Sequence, residues 1–86
     1  RVHRNSASLD ILMARAPVLK PREVAAILQQ LEFVEVRQRG SHKQYRHADG
    51  RRTTVPFHGG RNISPVLLRQ IAKDVGLSVD EFLEHR

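Results

Sequence analysis

The sequence predicts an α+β domain in the order α-β-β-β-α, a three-stranded antiparallel sheet with helices on one face and the other face open. Three observations predict it. Apolar residues recur at helical spacing in two separated stretches: Val24, Ile27, Leu28 and Leu31, then Leu68, Ile71, Ala72 and Val75. Between them lie three short runs rich in β-branched and aromatic residues. Gly40 and Asp49-Gly50 separate those runs, and both suit tight hairpin turns.

The first helix opens at Lys20-Pro21-Arg22-Glu23, where proline suits the first helical position because its missing N–H is not needed. Ala25 and Ala26 favour helix, and the end is expected near Glu32. Phe33–Gln38 is read as the first strand. The second runs from about Ser41 to His47, and alternation puts His42, Gln44 and Arg46 on one face and Ser41, Lys43, Tyr45 and His47 on the other. The third is Arg51–Val55, stopped by Pro56, which has no N–H for the ladder. A loop with Gly59-Gly60 follows. Ser64-Pro65 then caps and starts the second long helix, and Gly76 ends it. Ser78 and Glu81 are spaced as a capping box for a last short helix that docks Phe82 and Leu83.

Residues 20–86 are thus read as one domain. Residues 1–19 are read as an N-terminal extension, disordered or appended, since the chain opens on Arg1 and Met13 is a candidate natural start. Ser8 to Met13 has the pattern of one helical turn. With no cysteine, disulfides and Cys-based zinc sites are excluded. No apolar run approaches the ~18 residues of a membrane helix, so a soluble cytoplasmic protein is the default expectation.

The net charge of +6 is localised. Arg37 to Arg61 holds seven basic residues (Arg37, Arg39, Lys43, Arg46, Arg51, Arg52, Arg61) against Asp49 alone, whereas the remainder has eight of each sign. A localised basic patch is the electrostatic footprint of a nucleic-acid site. At its centre lies Arg39-Gly40-Ser41-His42-Lys43. RNA cleavage needs a base for the 2′-OH, an acid for the leaving oxygen and positive charge for the phosphorane, and histidine with Lys or Arg supplies these. His42 is therefore the candidate acid/base. Arg39, Lys43 and Arg46 are the candidate phosphate ligands, and Ser41 can hydrogen-bond a phosphate. Tyr45 either stacks a base or fills the core, and the core is favoured. His58, at the exit of the third strand, is a possible further participant, whereas strand parity separates His47 from His42. A metal site of His42, His58 and Asp49 lacks any short ligand spacing, so no metal or other cofactor is assigned.

Val34–His42, Tyr45–His47, Thr53–His58, Leu68–Lys73 and Gly76-Leu77-Ser78 together resemble the HicA (YcfA-like) mRNA interferase toxins. The likeness runs from about Lys20 to Leu83, and its Gly-Ser-His and Val-Pro-x-His elements are fairly specific in combination. The resemblance implies a double-stranded-RNA-binding-domain-like fold and metal-free, translation-independent mRNA cleavage. It also implies a catalytic histidine at His42 and a HicB-type antitoxin that covers the site. The sequence departs from the family in two places: Glu32 stands where a glycine is usual, and at the second helix start Pro65-Val66-Leu67 replaces Gly-Thr-Leu. Basic charge alone fits two other readings, a non-catalytic RNA-binding module of the same fold and a domain that binds an acidic protein.

Overall fold

The computed structural model describes residues 18–86, and the expected helical turn at Ser8 to Met13 falls outside them. Its elements are α1 (Pro21–Gln30), β1 (Val34–Arg39), β2 (His42–Arg46), β3 (Arg52–Pro56), α2 (Pro65–Asp74) and α3 (Val79–Leu83). The sheet has the order β1-β2-β3 with both pairings antiparallel. The α+β architecture and the single meander are those the sequence predicts.

Each helix boundary has a local chemical cause. In α1 Pro21 takes the first turn, and the Glu23 carboxylate accepts the Lys20 backbone N–H at 2.7 Å. Ser64 caps α2 by accepting the Leu67 N–H at 3.1 Å. Ser78 and Glu81 bond reciprocally at 3.1 and 2.9 Å to start α3, and those bonds from Ser78 hold the Glu81 carboxyl below its ordinary value. Helices α1 and α2 end alike. Phe33 N–H reaches Leu28 O at 2.8 Å, and Leu77 N–H reaches Ala72 O at 2.9 Å. This wrap requires a left-handed residue just past the helix. Gly76 supplies it after α2 at φ +84°, whereas Glu32 is forced into it after α1 at φ +69°. The α-helix itself stops at Gln30, two residues before the expected end.

The apolar stripes of α1 and α2 close over one sheet face. Val24, Ile27 and Leu28 meet Tyr45 and Val55 of the sheet, with Leu68, Ile71 and Phe82 completing the core. Tyr45 is 2 % exposed, so it fills the core and does not stack a base. Burial, and then the Glu35 carboxylate, raise its phenol above the ordinary 10.0. Leu19, just before the residues assigned to the domain, is fully buried and bridges Ile63. Phe33, expected in the first strand, precedes it as a core residue, and β1 begins at Val34. Pro56, expected to stop the third strand, is its last residue opposite His42. β3 is an edge strand, so a missing N–H at its end leaves no partner unsatisfied.

One irregularity sets which side chains of β1 reach the open face. The β1–β2 register shifts between Glu35 and Arg37, leaving Val36 as an extra residue in β1. Residues directly opposite each other in an antiparallel pair share a face. Past the bulge Arg37 therefore shares a face with Gln44, and Arg39 with His42.

Candidate active site and nucleic-acid interface

The β1–β2 turn passes through Gly40 at φ +55°, with Gln38 Nε2 donating to its carbonyl at 3.0 Å. β2 then begins at His42, flanked by Arg39 on β1 and Pro56 on β3. Beyond Pro56 the chain does not leave the sheet at once, because Phe57 N–H donates to Ser41 O. This carries the next residue, His58, over the turn. The chain then reverses: Arg61 N–H returns to His58 O at 2.7 Å, with Gly59 at φ +50° and Gly60 at φ +84° between them. Two successive positive φ angles define the turn type in which glycine avoids the strain of a side chain. The glycine pair thus folds the loop back and leaves the His58 ring at the end of the sheet.

There three side chains meet. His42 Nε2 lies 3.3 Å from His58 Nε2, and Ser41 Oγ lies 2.9 Å from His58 Nδ1. The two rings stand edge to face at 81° with centroids 5.2 Å apart. Both histidines are exposed. Among the described residues no carboxylate pairs with either ring. Strand parity places Ser41 and His42 on opposite faces. Ser41, however, precedes the ladder, and His58 sits across the strand end, where it meets both.

The predicted phosphate ligands divide. Arg39 and Arg46 share the open face with His42, and all three are exposed. Lys43 lies on the other face, where Nζ is 4.3 Å from the Phe57 ring centroid and 3.8 Å from Glu35. Two arginines not singled out from sequence join the open face: Arg37 opposite Gln44, and Arg52 opposite Arg46. The signal for Arg37 is the bulge at Val36, which strand alternation cannot reveal. No acidic residue holds a paired position on this face. Away from the histidines a groove of about 480 Å³ is lined by Gln44, Arg46 and Thr54 of the sheet and by Leu67, Gln70 and Asp74 of α2.

Asp49 takes no part in this cluster. It lies at the far end of β2, bonded to Arg51 at 2.8 Å and next to His47 at 3.1 Å. Among the described residues no group of three or more His, Asp or Glu is placed to hold a metal ion.

Residues 21–77 match the family model described as HicA toxin of bacterial toxin-antitoxin. The chain belongs to the HicA toxin family. No curated protein matches it. The matched span of this HicA chain runs from the start of α1 through the end of α2 and includes Ser41, His42 and His58. Both departures from the HicA pattern now have a structural account. Glu32, where the resemblance leads one to expect a glycine, occupies a left-handed position in which a glycine would be free of strain. Pro65-Val66-Leu67 keeps the α2 start through proline at the first position and the Ser64 cap. Phe82, beyond the matched span, is fully buried and ties α3 to the same core. Among the described residues no helix is long and apolar enough to cross a membrane.

Proposed function

We propose that this HicA chain is a metal-independent endoribonuclease acting on mRNA in the cytoplasm, with His42 as its acid/base residue. The observation that carries the reading is an exposed imidazole at the edge of an arginine-lined sheet face, bonded to a second imidazole and, among the described residues, to no carboxylate. Imidazole moves protons near neutral pH, and guanidinium groups attract phosphate and stabilise the charge of a phosphorane. Arg39 stands beside His42, and Arg37, Arg46 and Arg52 extend the positive track along the sheet. Ser41 and Lys43 lie nearby, but each is engaged, Ser41 by His58 and Lys43 by Glu35 and Phe57. Their contribution to RNA binding is accordingly smaller.

The partner is a HicB-type antitoxin protein that covers this face. Membership of a toxin–antitoxin family supports a cognate inhibitor. Acidic complementarity would steer it to the arginines quickly. A stable complex buries about 1,200–2,000 Å² in total, enough to cover His42 and the adjoining sheet.

The test is RNA cleavage by the purified protein in EDTA, with and without the protein encoded beside it. Cleavage that persists in EDTA and stops on binding of the neighbour supports both parts. RNA that is bound but never cut makes the chain a non-catalytic RNA-binding module. Full-rate cleavage with the neighbour bound removes occlusion as the means of control.

A further inference from the structure

We infer that His58 is the general acid of this site, so that His42 and His58 act as a proton-exchanging pair on RNA whose own 2′-OH is the nucleophile. The inference rests on the ribonuclease reading above and assigns the second half of its chemistry. Ser41 Oγ occupies the Nδ1 side of His58, which leaves Nε2 as the nitrogen facing His42. A contact of 3.3 Å between two Nε2 atoms is a hydrogen bond only when a single proton lies between them. When the pair carries one positive charge, that charge is better placed on His58. Its two N–H groups then both find acceptors, Nδ1–H in Ser41 Oγ and Nε2–H in His42 Nε2. Among the described residues His42 Nδ1 has no hydrogen-bond partner, whereas His58 Nδ1 has Ser41 Oγ. The resting pair is thus a base with a free lone pair at His42 and an acid with a proton at His58.

The reaction balances with nothing further. RNA enters between the rings and replaces their mutual bond. His42 Nε2 takes the 2′-OH proton as the 2′-oxygen bonds to phosphorus. The P–O5′ bond breaks, its electron pair goes to O5′, and His58 Nε2–H gives that oxygen a proton. The products are a 2′,3′-cyclic phosphate and a 5′-OH, with no water consumed. His42 is then protonated and His58 neutral, the reverse of the starting state. When product leaves, the Nε2–Nε2 contact re-forms and the proton passes back across it, resetting both residues without solvent.

The charged groups around the pair are Arg39 on β1, Lys43 on the opposite face of β2 and Arg61 at the end of the His58 turn. Lys20 and Arg22 at the start of α1 border the same loop across a cleft of about 260 Å³ with Gly60. All are guanidinium or ammonium groups, which supply charge to the phosphate and leave the proton transfers to the two imidazoles.

The experiment uses the whole chain and an oligoribonucleotide made in three versions at its mapped cleavage position: unmodified, with sulfur replacing O5′, and with a 2′-deoxy sugar. A sulfur leaving group departs without protonation, so it relieves the need for an acid and for nothing else. On the unmodified RNA, His58→Ala is expected to lower the single-turnover rate by about 10²–10⁴-fold. On the sulfur substrate it is expected to approach the wild-type rate, while His42→Ala stays slow on both. His58→Asn, which keeps a side-chain partner for Ser41, should match His58→Ala. The 2′-deoxy substrate should resist all variants. His58→Ala cutting unmodified RNA at the wild-type rate, or gaining nothing from sulfur, overturns the acid role while leaving the ribonuclease reading intact. Cleavage of the 2′-deoxy substrate overturns the 2′-OH nucleophile. A wild-type protein that cuts no RNA overturns the preceding reading and this one with it.

Discussion

β2 begins at His42 and is followed directly by His47, and the two ends are built differently. At the His42 end the neighbours are a second imidazole and a serine hydroxyl, with cationic residues around them. At the His47 end the neighbours are a carboxylate and the core. The Asp49 N–H donates to His47 Nδ1 at 3.0 Å, and the ring packs on buried Phe33 with centroids 5.2 Å apart. Arg51 lies over the same Phe33, grips the Asp49 carboxylate and donates to Val75 O at the end of α2. The Arg51 side chain, and then the Arg51 backbone N–H that donates to Asp49 at 3.0 Å, pull the Asp49 carboxyl down to about 2. One histidine is thus tied into a network that fastens a hairpin to a helix. The other is bordered, among the described residues, by an imidazole, a serine hydroxyl and an arginine. Residue type is equal at the two ends, and it is the neighbours that differ.

The largest effect should come from removing the floor of the His47 end. Phe33→Ala empties a core position that is 1 % exposed and should lower stability by about 3–5 kcal/mol, a large part of what a domain this small can have. Phe57→Ala, under Lys43 beside the His58 loop and only partly buried, should be clearly milder. Equal losses in denaturant melts would mean that the two ends are fastened alike.

Smaller shifts test the network itself. His47→Ala should lower stability by about 1 kcal/mol and leave the cleavage rate unchanged, read from paired melts and RNase assays. Acid should expose the same network. The folded Asp49 carboxyl lies at about 2 against an ordinary 3.8, so its stabilisation is complete above about pH 4 and is lost as pH falls toward 2. Melting curves of wild type and Asp49→Asn should therefore converge below about pH 2. Curves that stay parallel would show that the ionised carboxylate contributes nothing.

Two finer comparisons follow. Glu32→Gly should stabilise the fold by about 1 kcal/mol, because the left-handed position after α1 then matches its counterpart after α2, where Gly76→Ala should do the reverse. On RNA, replacing Arg39 or Arg46 should reduce the salt slope of binding by about 0.7 per lost phosphate contact, whereas Lys43→Ala should change it less. A Lys43 effect as large as that of Arg39 would place RNA on both faces of the sheet.

The legible parts of this fold are those whose cause is local. Pro21, Ser64-Pro65, Gly76 and the Ser78–Glu81 pair each set a helix boundary with atoms a few residues apart. Gly40 and Gly50 likewise set the turns. The less legible parts depend on partners far along the chain. Leu19 earns its burial only by pairing with Ile63. The bulge at Val36, which brings Arg37 and Arg39 to the open face, exists only in register with β2. Sequence reading brought His58 to the neighbourhood of His42. The contact itself needs Pro56 inside the ladder, the Phe57–Ser41 bond and a loop turned back at Gly59-Gly60.

The central claim, that His42 moves the proton while the arginines hold the RNA, is tested most directly by single-turnover cleavage in EDTA with protein saturating over RNA. Under saturation a loss of affinity cannot pass for a loss of chemistry. The account predicts that His42→Ala binds RNA with the wild-type Kd and cleaves it about 10²–10⁴-fold more slowly. Wild-type cleavage by that variant, or cleavage that fails in EDTA and returns with a divalent metal, would contradict it.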